Sequence, residues 1–420
     1  MIKTIYTDIL IAGCGVSGLY AALNLPEDKK ILIITKSKKE ESDSFLAQGG
    51  ICVLRDEEDY QSFFDDTLKA GHYENSHAAV SEMINSSRSV ISDLEAYGTR
   101  FTKNKNGEFE YTKEGAHSKP RILYHKDETG KEITSSLLEV ALKKENITLY
   151  ENFTLVDILE KNGNCYGGLC QDKDGCFYLV YSDYTIMATG GIGGLFKHST
   201  NFPHLTGDAL AIAHKHGIPL KNPDYIQIHP TTFYTDDRER SFLISESVRG
   251  EGALLYNHKG ERFVDELLPR DVVADAIFKE MEKEKADYMW LSLKPIPKEE
   301  IYSHFPNIVE YCKKKGINLP KDCIPVVPAQ HYYMGGVEID LDGRTSLSRL
   351  YAVGETACNN VHGKNRLASN SLLESMVFAK RAAKNITEIY TKNEKENFEI
   401  NINDYNNYQQ EYELIIKNEI

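Results

Sequence analysis

Residues 8–12 read Asp8-Ile9-Leu10-Ile11-Ala12, and the apolar run stops at Gly13. An unbroken apolar run before a glycine loop predicts a parallel strand buried on both faces. Gly13 and Gly15 then turn the chain into a helix from about Val16 to Leu25. Ile31–Thr35 repeats the buried-strand pattern and completes a β-α-β unit. Helices are predicted next over about Asp59–Ala70 and His77–Tyr97, the second setting Ala79, Met83, Val90, Ile91 and Leu94 near one face. Residues 101–130, rich in Lys, Glu and Gly, read as loop or edge hairpin. A third helix, about Lys131–Glu145, leads into a strand-rich segment over 147–188 with turns at Asn162-Gly163 and Asp174-Gly175. That segment ends on the apolar run Tyr184–Ala188, ahead of Thr189-Gly190-Gly191.

From about Pro223 the apolar runs shorten and prolines cluster, through Pro230, Pro295, Pro297, Pro306, Pro320, Pro325 and Pro328. A buried strand, Arg349–Val353, reappears afterwards, so the proline-rich stretch reads as a domain inserted into the first. A last helix is predicted from near Ser369 to about Tyr390. The expected layout is a dinucleotide-binding domain over 1–222 and 334–386, interrupted by a capping domain over 223–333. Residues 387–420 are expected as a truncated, loosely attached helix or frayed tail.

Composition narrows the class. The 420 residues are 41% hydrophobic and 27% charged, near the globular average. The formal net charge of −14 argues against nucleic acid or an anionic membrane as partner. No apolar run approaches the ~18 residues of a membrane span, and the N-terminus lacks a signal-peptide pattern, so a cytoplasmic protein is expected. Eight cysteines in this length are not a disulfide framework, and Cys165, Cys170 and Cys176 are too widely spaced for a CxxC zinc site. They read as mostly buried thiols, and no metal is predicted.

Gly13-Cys14-Gly15-Val16-Ser17-Gly18 fits G-x-G-x-x-G in its required setting, strand before and helix after. Gly13 permits the tight turn, Gly15 lets the backbone approach a pyrophosphate, and Gly18 allows close helix–strand packing at a helix N-terminus. The second strand ends at Thr35-Lys36, where an NAD site usually carries an acid. That argues for FAD. Ala188-Thr189-Gly190 and Val353-Gly354-Glu355 each end a buried strand and can pass close to a dinucleotide, with Glu355 an acceptor for sugar hydroxyls. The fold class is therefore α/β: a Rossmann-like FAD-binding domain, an inserted α+β capping domain and a short C-terminal helical tail.

An ordered series of further segments extends this reading. It comprises Ala47-Gln48-Gly49-Gly50, Thr206-Gly207-Asp208, Gln227-Ile228-His229-Pro230-Thr231, Glu246–Gly252, Pro269-Arg270-Asp271, His331–Gly336 and His362–Glu374. In these segments the chain resembles the fumarate reductase and succinate dehydrogenase flavoprotein superfamily, and within it most closely the aspartate-oxidising branch. The resemblance implies FAD contacts at Lys36, the Ser44–Gly50 loop including Phe45, Asp208, Glu355, Ser371 and Leu372. Membrane-bound relatives attach flavin through a histidine in the loop before Ala-Gln-Gly-Gly. Here that stretch, Ser42–Leu46, has none. A non-covalent flavin is implied.

A C4 dicarboxylate needs local cations, since the global charge is screened within ~8 Å. The candidates are His229, Arg270, His331 and Arg366, and Arg suits bidentate carboxylate binding. Arg270 opens a helix, an unfavourable place for a cation by ~0.3–1 kcal/mol, which a bound dianion can offset. By resemblance Arg270 is the proton donor/acceptor. A relay partner is needed because Arg normally stays protonated, and Glu251 and Asp271 are sequence neighbours. Ser245-Glu246 stands where the branch usually has Thr-Glu, keeping the hydroxyl, and Gln227 belongs to the same implied site. Glu114, in Lys113-Glu114-Gly115-Ala116-His117-Ser118, is implied to pair with a substrate ammonium.

The expected reaction is oxidation of L-aspartate to iminoaspartate, with reoxidation by O2, giving H2O2, or by fumarate. By resemblance this is the first step of NAD biosynthesis through quinolinate, with a possible hand-off to quinolinate synthase. A soluble fumarate reductase or succinate dehydrogenase-like enzyme is the nearest alternative. An electron-passing subunit docked on an iron–sulfur partner is an alternative of another class.

Overall fold

The computed structural model describes residues 2–236, 240–394 and 396–419. Its centre is a five-stranded parallel sheet, in spatial order Leu350–Ala352, Tyr184–Met187, Ile9–Ala12, Ile31–Thr35 and Ile147–Glu151. Ile9–Ala12 and Ile31–Thr35 are buried along their whole length, as unbroken apolar runs between two covered faces require. On one face lie the helices Val16–Asn24, Thr129–Lys143 and Asn370–Ile389. On the other lies a four-stranded sheet of Lys3–Tyr6, Phe177–Tyr181, Asn164–Asp172 and Phe153–Lys161.

The chain leaves this body at Leu220–Lys221 and re-enters at Gly336–Glu338, two short strands paired antiparallel. Between them a four-stranded antiparallel sheet is ordered Ile226–Phe233, Ile324–Tyr333, Met289–Ser292, Leu254–Tyr256. With the helices Arg270–Glu284, Lys298–His304 and Pro306–Lys314 it encloses a hydrophobic cluster of its own, all between Phe233 and Val326. Residues 101–130, read as loop or hairpin, supply Tyr111–Thr112 and Ile122–Leu123. Ile122–Leu123 pairs with Ile51–Cys52 on one side and Tyr111–Thr112 on the other, in a small sheet beside the cleft.

The C-terminal segment differs from the loose tail expected of it. Tyr408–Glu419 forms a helix whose Tyr408, Tyr412 and Ile416, four residues apart, are buried against the core around the helix Asp208–Lys215. Tyr412 Oη donates to the Val156 carbonyl at 2.5 Å and Tyr405 Oη to Asp157 at 2.8 Å. The Asn- and Glu-rich composition hid this one-faced apolar spacing. No helix among the described residues is long and apolar enough to cross a membrane.

Candidate active site

In an open parallel sheet, ligands sit beyond the carboxyl ends of the strands where the strand order reverses. Here those ends carry Gly13, Lys36, Ala188–Gly190 and Glu355, and all line one continuous cleft. The cleft encloses about 1620 Å³ of space between atoms, part of it open to solvent. It runs from Lys36 and Asp208 to Arg270 and Arg366.

The nucleotide end follows from backbone constraints. Gly13 has φ +120°, and a Cβ there would meet the Ala188 carbonyl oxygen at 1.9 Å, so the first glycine loop and the Ala188–Gly190 loop touch backbone to backbone. Gly18 lies behind the cleft, its missing Cβ making room for the Gly13 carbonyl at 2.0 Å. The Val16 amide donates to Ser44 Oγ at 3.1 Å, joining the helix start to the Ser44–Gly50 loop. An acid does stand beside the end of the second strand, brought from elsewhere in the chain. Lys36 Nζ is 2.8 Å from Asp208 Oδ2 and 2.8 Å from Thr206 Oγ1. Val16, Ser17, Ala47, Gln48, Thr189, Ser371 and Leu372 also line the cleft. Phe45, expected among the flavin contacts, packs against the hydrophobic core instead, because its helical turn places the ring on the apolar side.

Two carboxyls unassigned to any charge partner face this stretch. Glu355 Oε1 accepts the Tyr333 amide at 2.8 Å, and burial followed by the nearby Asp43 carboxylate raises its pKa to about 8. Asp43 accepts the Phe202 amide at 2.9 Å, and burial raises it to about 7. Both are poised to meet hydroxyl donors.

The far end is built largely from the inserted sheet. Ile226–Phe233 pairs with Ile324–Tyr333, but the register slips between Gln227–Tyr332 and Ile228–Gln330. His331 is the extra residue of that bulge, freed from the ladder and re-aimed at the cleft. A second slip follows His229, where Pro230 has no N–H to give. The Thr231 amide donates to His229 Nδ1 at 3.2 Å, so the ring proton sits on Nε2, which is buried and has no protein partner. The two rings stand 5.1 Å apart, edge to face, and His331 Nδ1 is 2.7 Å from Thr200 Oγ1. Burial and then the Arg270 cation hold both imidazoles well below their ordinary pKa, so both are neutral.

Arg270 is buried at the first turn of its helix, 7% exposed, in place of the exposed cation its sequence position suggests. Its Nε lies 2.5 Å from Glu246 Oε2 and its Nη1 donates to Gln227 Oε1 at 2.9 Å. Gln227 stands behind the cleft wall and donates to Asn365 Oδ1 and the Arg366 carbonyl, each at 2.8 Å. Neither sequence neighbour is the relay partner: Glu251 pairs with His304 and Asp271 with His72, facing outward. Arg249, three residues along the helix Glu246–Gly250, sits behind Glu246 with Nη2 3.9 Å from Oε2, and its Nε and Nη2 make no hydrogen bond. Sequence reading had left Arg249 unassigned, although its i, i+3 spacing from Glu246 was visible.

Arg366 donates from Nη1 to Ser371 Oγ at 2.9 Å, lies 4.5 Å over the Tyr332 ring, and leaves Nε buried and free of partners. Burial, then the Arg270 charge, lowers its pKa to about 10. Glu114 accepts from Ser369 Oγ at 2.6 Å and Ser247 Oγ at 3.2 Å, and Ser245 caps the Glu246 helix. Burial, then the Glu246 carboxylate, raises Glu114 above its ordinary range. A Cβ on Gly115 would meet Glu246 Oε1 at 2.3 Å, so only glycine lets this loop pass so close. Arg240 also lines the cleft, its guanidinium 5.9 Å from the Phe202 ring, and no sequence pattern singled it out.

Comparison with known proteins agrees with this geometry. The family described as FAD binding domain matches residues 8–372. The L-aspartate oxidase of Clostridium perfringens is 50% identical over 377 residues, covering 90% of this chain and 85% of that protein. That of Clostridium acetobutylicum is 47% identical over 383 residues, covering 91% and 88%. Among solved structures, a mutant E. coli quinol fumarate reductase superposes with a TM-score of 0.88 at 27% identity, over 99% of this chain and 74% of that one. With its FAD-binding region matched and its length aligned at this identity, the chain belongs to the L-aspartate oxidase family of FAD-binding flavoproteins.

Proposed function

We infer that the chain is an FAD-dependent oxidoreductase that converts L-aspartate to iminoaspartate, the entry reaction of NAD biosynthesis through quinolinate. The observation that carries the substrate assignment is Glu114, a buried carboxylate at the end of the cleft that holds His229, His331, Arg270 and Arg366, bonded to serine hydroxyls and not to an arginine. With Arg240 facing Asp43, the cations Arg249, Arg270 and Arg366 set against Glu114 and Glu246 leave one positive charge around Arg270, the complement of L-aspartate with its two carboxylates and one ammonium. Succinate, lacking the ammonium, leaves an unmatched negative charge unless Glu114 takes a proton.

The residues fit an FAD: adjoining glycine loops with no room for Cβ at Gly13, a helix start facing the cleft, and acceptors at Asp208, Asp43 and Glu355. Gly13–Ser17, Lys36, Ser44, Ala47–Gly50, Ala188–Gly190, Asp208, Glu355, Ser371 and Leu372 would hold it, with Gly18 packing behind them and no covalent bond from the Ser42–Leu46 stretch. When bound, FAD would supply the two-electron chemistry, as acceptor of the substrate Cα hydride and donor to O2, giving H2O2, or to fumarate.

The chain's own groups bind and orient. His229 Nε2–H, His331, Ser245 and the free Nε of Arg366 hold the substrate carboxylates; neutral imidazoles donate there without adding charge. Glu114 holds the ammonium; loss of one ammonium proton to solvent together with the Cα hydride leaves an iminium, and loss of a second proton to solvent gives the imine. Arg270 sits over the reacting carbons, fixed by Gln227 on one side and Glu246 on the other. With fumarate as acceptor, Arg270 gives one proton to carbon and regains one from solvent, relayed through the ionised Glu246 carboxylate beside its Nε, a path that keeps its neutral form transient. The unit over 223–333 acts as a cap that excludes water. We place the reaction in the cytoplasm, with the labile imine handed to quinolinate synthase.

An absorbance spectrum of the holoenzyme, recorded anaerobically before and after L-aspartate, tests this. Bleaching by L-aspartate at concentrations where succinate leaves the flavin oxidised is expected. Equal bleaching by succinate favours the fumarate reductase alternative, and no bleaching by either removes the assignment.

A further inference from the structure

Glu114 lies on a segment with no regular structure, residues 113–121, yet its carboxylate must be placed to within fractions of an ångström to select an ammonium. Besides the Ser369 bond to Glu114 itself, the segment is tied to the strap that carries Arg366, Ser369 and Ser371 through His117. His117 Nε2 is 3.0 Å from the Ala368 carbonyl, and His117 Nδ1 is 2.9 Å from Arg121 Nη1. A guanidinium has only donors, so Nδ1 accepts and the ring proton is on Nε2, given to Ala368. Burial, and the Arg121 charge beside it, lower the His117 pKa to about 4, fixing one neutral tautomer.

Arg121 in turn has no exposed surface. It bonds Asp59 at 3.0 and 3.2 Å, Asp66 at 2.6 Å and Ser62 at 3.0 Å, all in or just before the helix Tyr60–Ala70. Asp66 Oδ2 also accepts the Ser118 amide and hydroxyl, each at 2.7 Å. On either side of the His117–Ala368 bond a non-glycine residue is left-handed, Ala116 at φ +65° and Ser369 at φ +61°. Such residues persist only where their surroundings over-determine them. Ser369 is also the residue whose hydroxyl holds Glu114, at 2.6 Å.

We propose that His117, anchored by Arg121, is a positioning residue that locks the Glu114 segment to the Arg366–Ser371 strap and thereby sets selectivity for an amino diacid over a plain diacid. This rests on Glu114 being the ammonium partner.

The test compares His117→Asn and His117→Gln with Glu114→Gln, all as holoenzyme with flavin content checked. Asn keeps an acceptor for Arg121 but is too short to reach Ala368, whereas Gln places an amide N–H near the lost Nε2. For His117→Asn, KM for L-aspartate should rise about tenfold, with kcat within threefold and the inhibition constant of succinate within twofold. His117→Gln should recover most of the loss. Equal weakening toward aspartate and succinate would mean a general structural role and overturn the proposal. So would an unchanged aspartate KM in His117→Asn while Glu114→Gln raises it. An unchanged aspartate KM in Glu114→Gln instead removes the underlying reading of Glu114.

Discussion

Arg270 and Glu246, 24 residues apart in sequence, meet in the cleft with Nε 2.5 Å from Oε2, and both are buried. The pair fixes the guanidinium plane while leaving it beside the space where the substrate carbons lie. Arg270→Leu should lower kcat by at least ~10³-fold, in the range lost when a positioned proton donor and charge is removed. Arg270→Lys, with no planar fork, should recover little. Flavin should remain bound in both, because Arg270 stands at the opposite end of the cleft from the glycine loops. Aspartate turnover at an unchanged rate in Arg270→Leu would end this assignment.

Glu114 is raised above the ordinary carboxylate range, ~4.3, so it takes its proton at a higher pH than a free glutamate. Binding an ammonium needs the ionised form. Aspartate kcat/KM should therefore fall on the acid side, and that limb should vanish in Glu114→Gln. A charge-assisted hydrogen bond contributes about 1.5–3 kcal/mol, so Glu114→Gln should weaken aspartate by roughly 10–100-fold and spare succinate. Steady-state profiles with both ligands decide it.

Glu374, buried beside Asn359 and Ser375, is held up at about 7 against its ordinary 4.5 by burial. The folded chain thus keeps a proton that the unfolded chain releases, and stability falls as pH rises from about 4.5 through 7. The cost on the alkaline side is about 3 kcal/mol for complete ionisation. Glu374→Gln should flatten the decline of the apoprotein melting temperature between pH 5 and 8. Scans of the apoprotein at several pH values measure it, and an unchanged slope in the variant contradicts the account.

Gly13→Ala should abolish flavin retention. Its Cβ would lie 1.9 Å from the Ala188 carbonyl oxygen at a φ of +120°, forcing apart two loops that line the nucleotide end. The readout is the ratio of flavin to protein absorbance after purification. A yellow, fully loaded variant would show that the loops tolerate separation.

The glycine motif, the buried strands on either side of it and the inserted segment are legible because their signals are local: an unbroken apolar run, a turn only glycine permits, a cluster of prolines. Candidate residues such as His229, Arg270, His331 and Arg366 are named by short motifs within a few positions. A C-terminal helix was legible, but its close docking was not, because its Tyr408–Tyr412–Ile416 stripe is thin and its neighbours are polar.

The sequence by itself determined which residue types were available and which backbone turns were possible, since local sterics and hydrophobic periodicity act over a few residues. Tertiary structure alone decided their states and partners. The slip that turns His331 out of its ladder depends on pairing with a strand about 100 residues earlier. The choice of Glu246 over Glu251 or Asp271 beside Arg270 depends on how the starts of two helices, Glu246–Gly250 and Arg270–Glu284, meet. So does the burial that keeps His229 neutral and Glu114 hard to ionise, because charge and desolvation act through space and not along the chain.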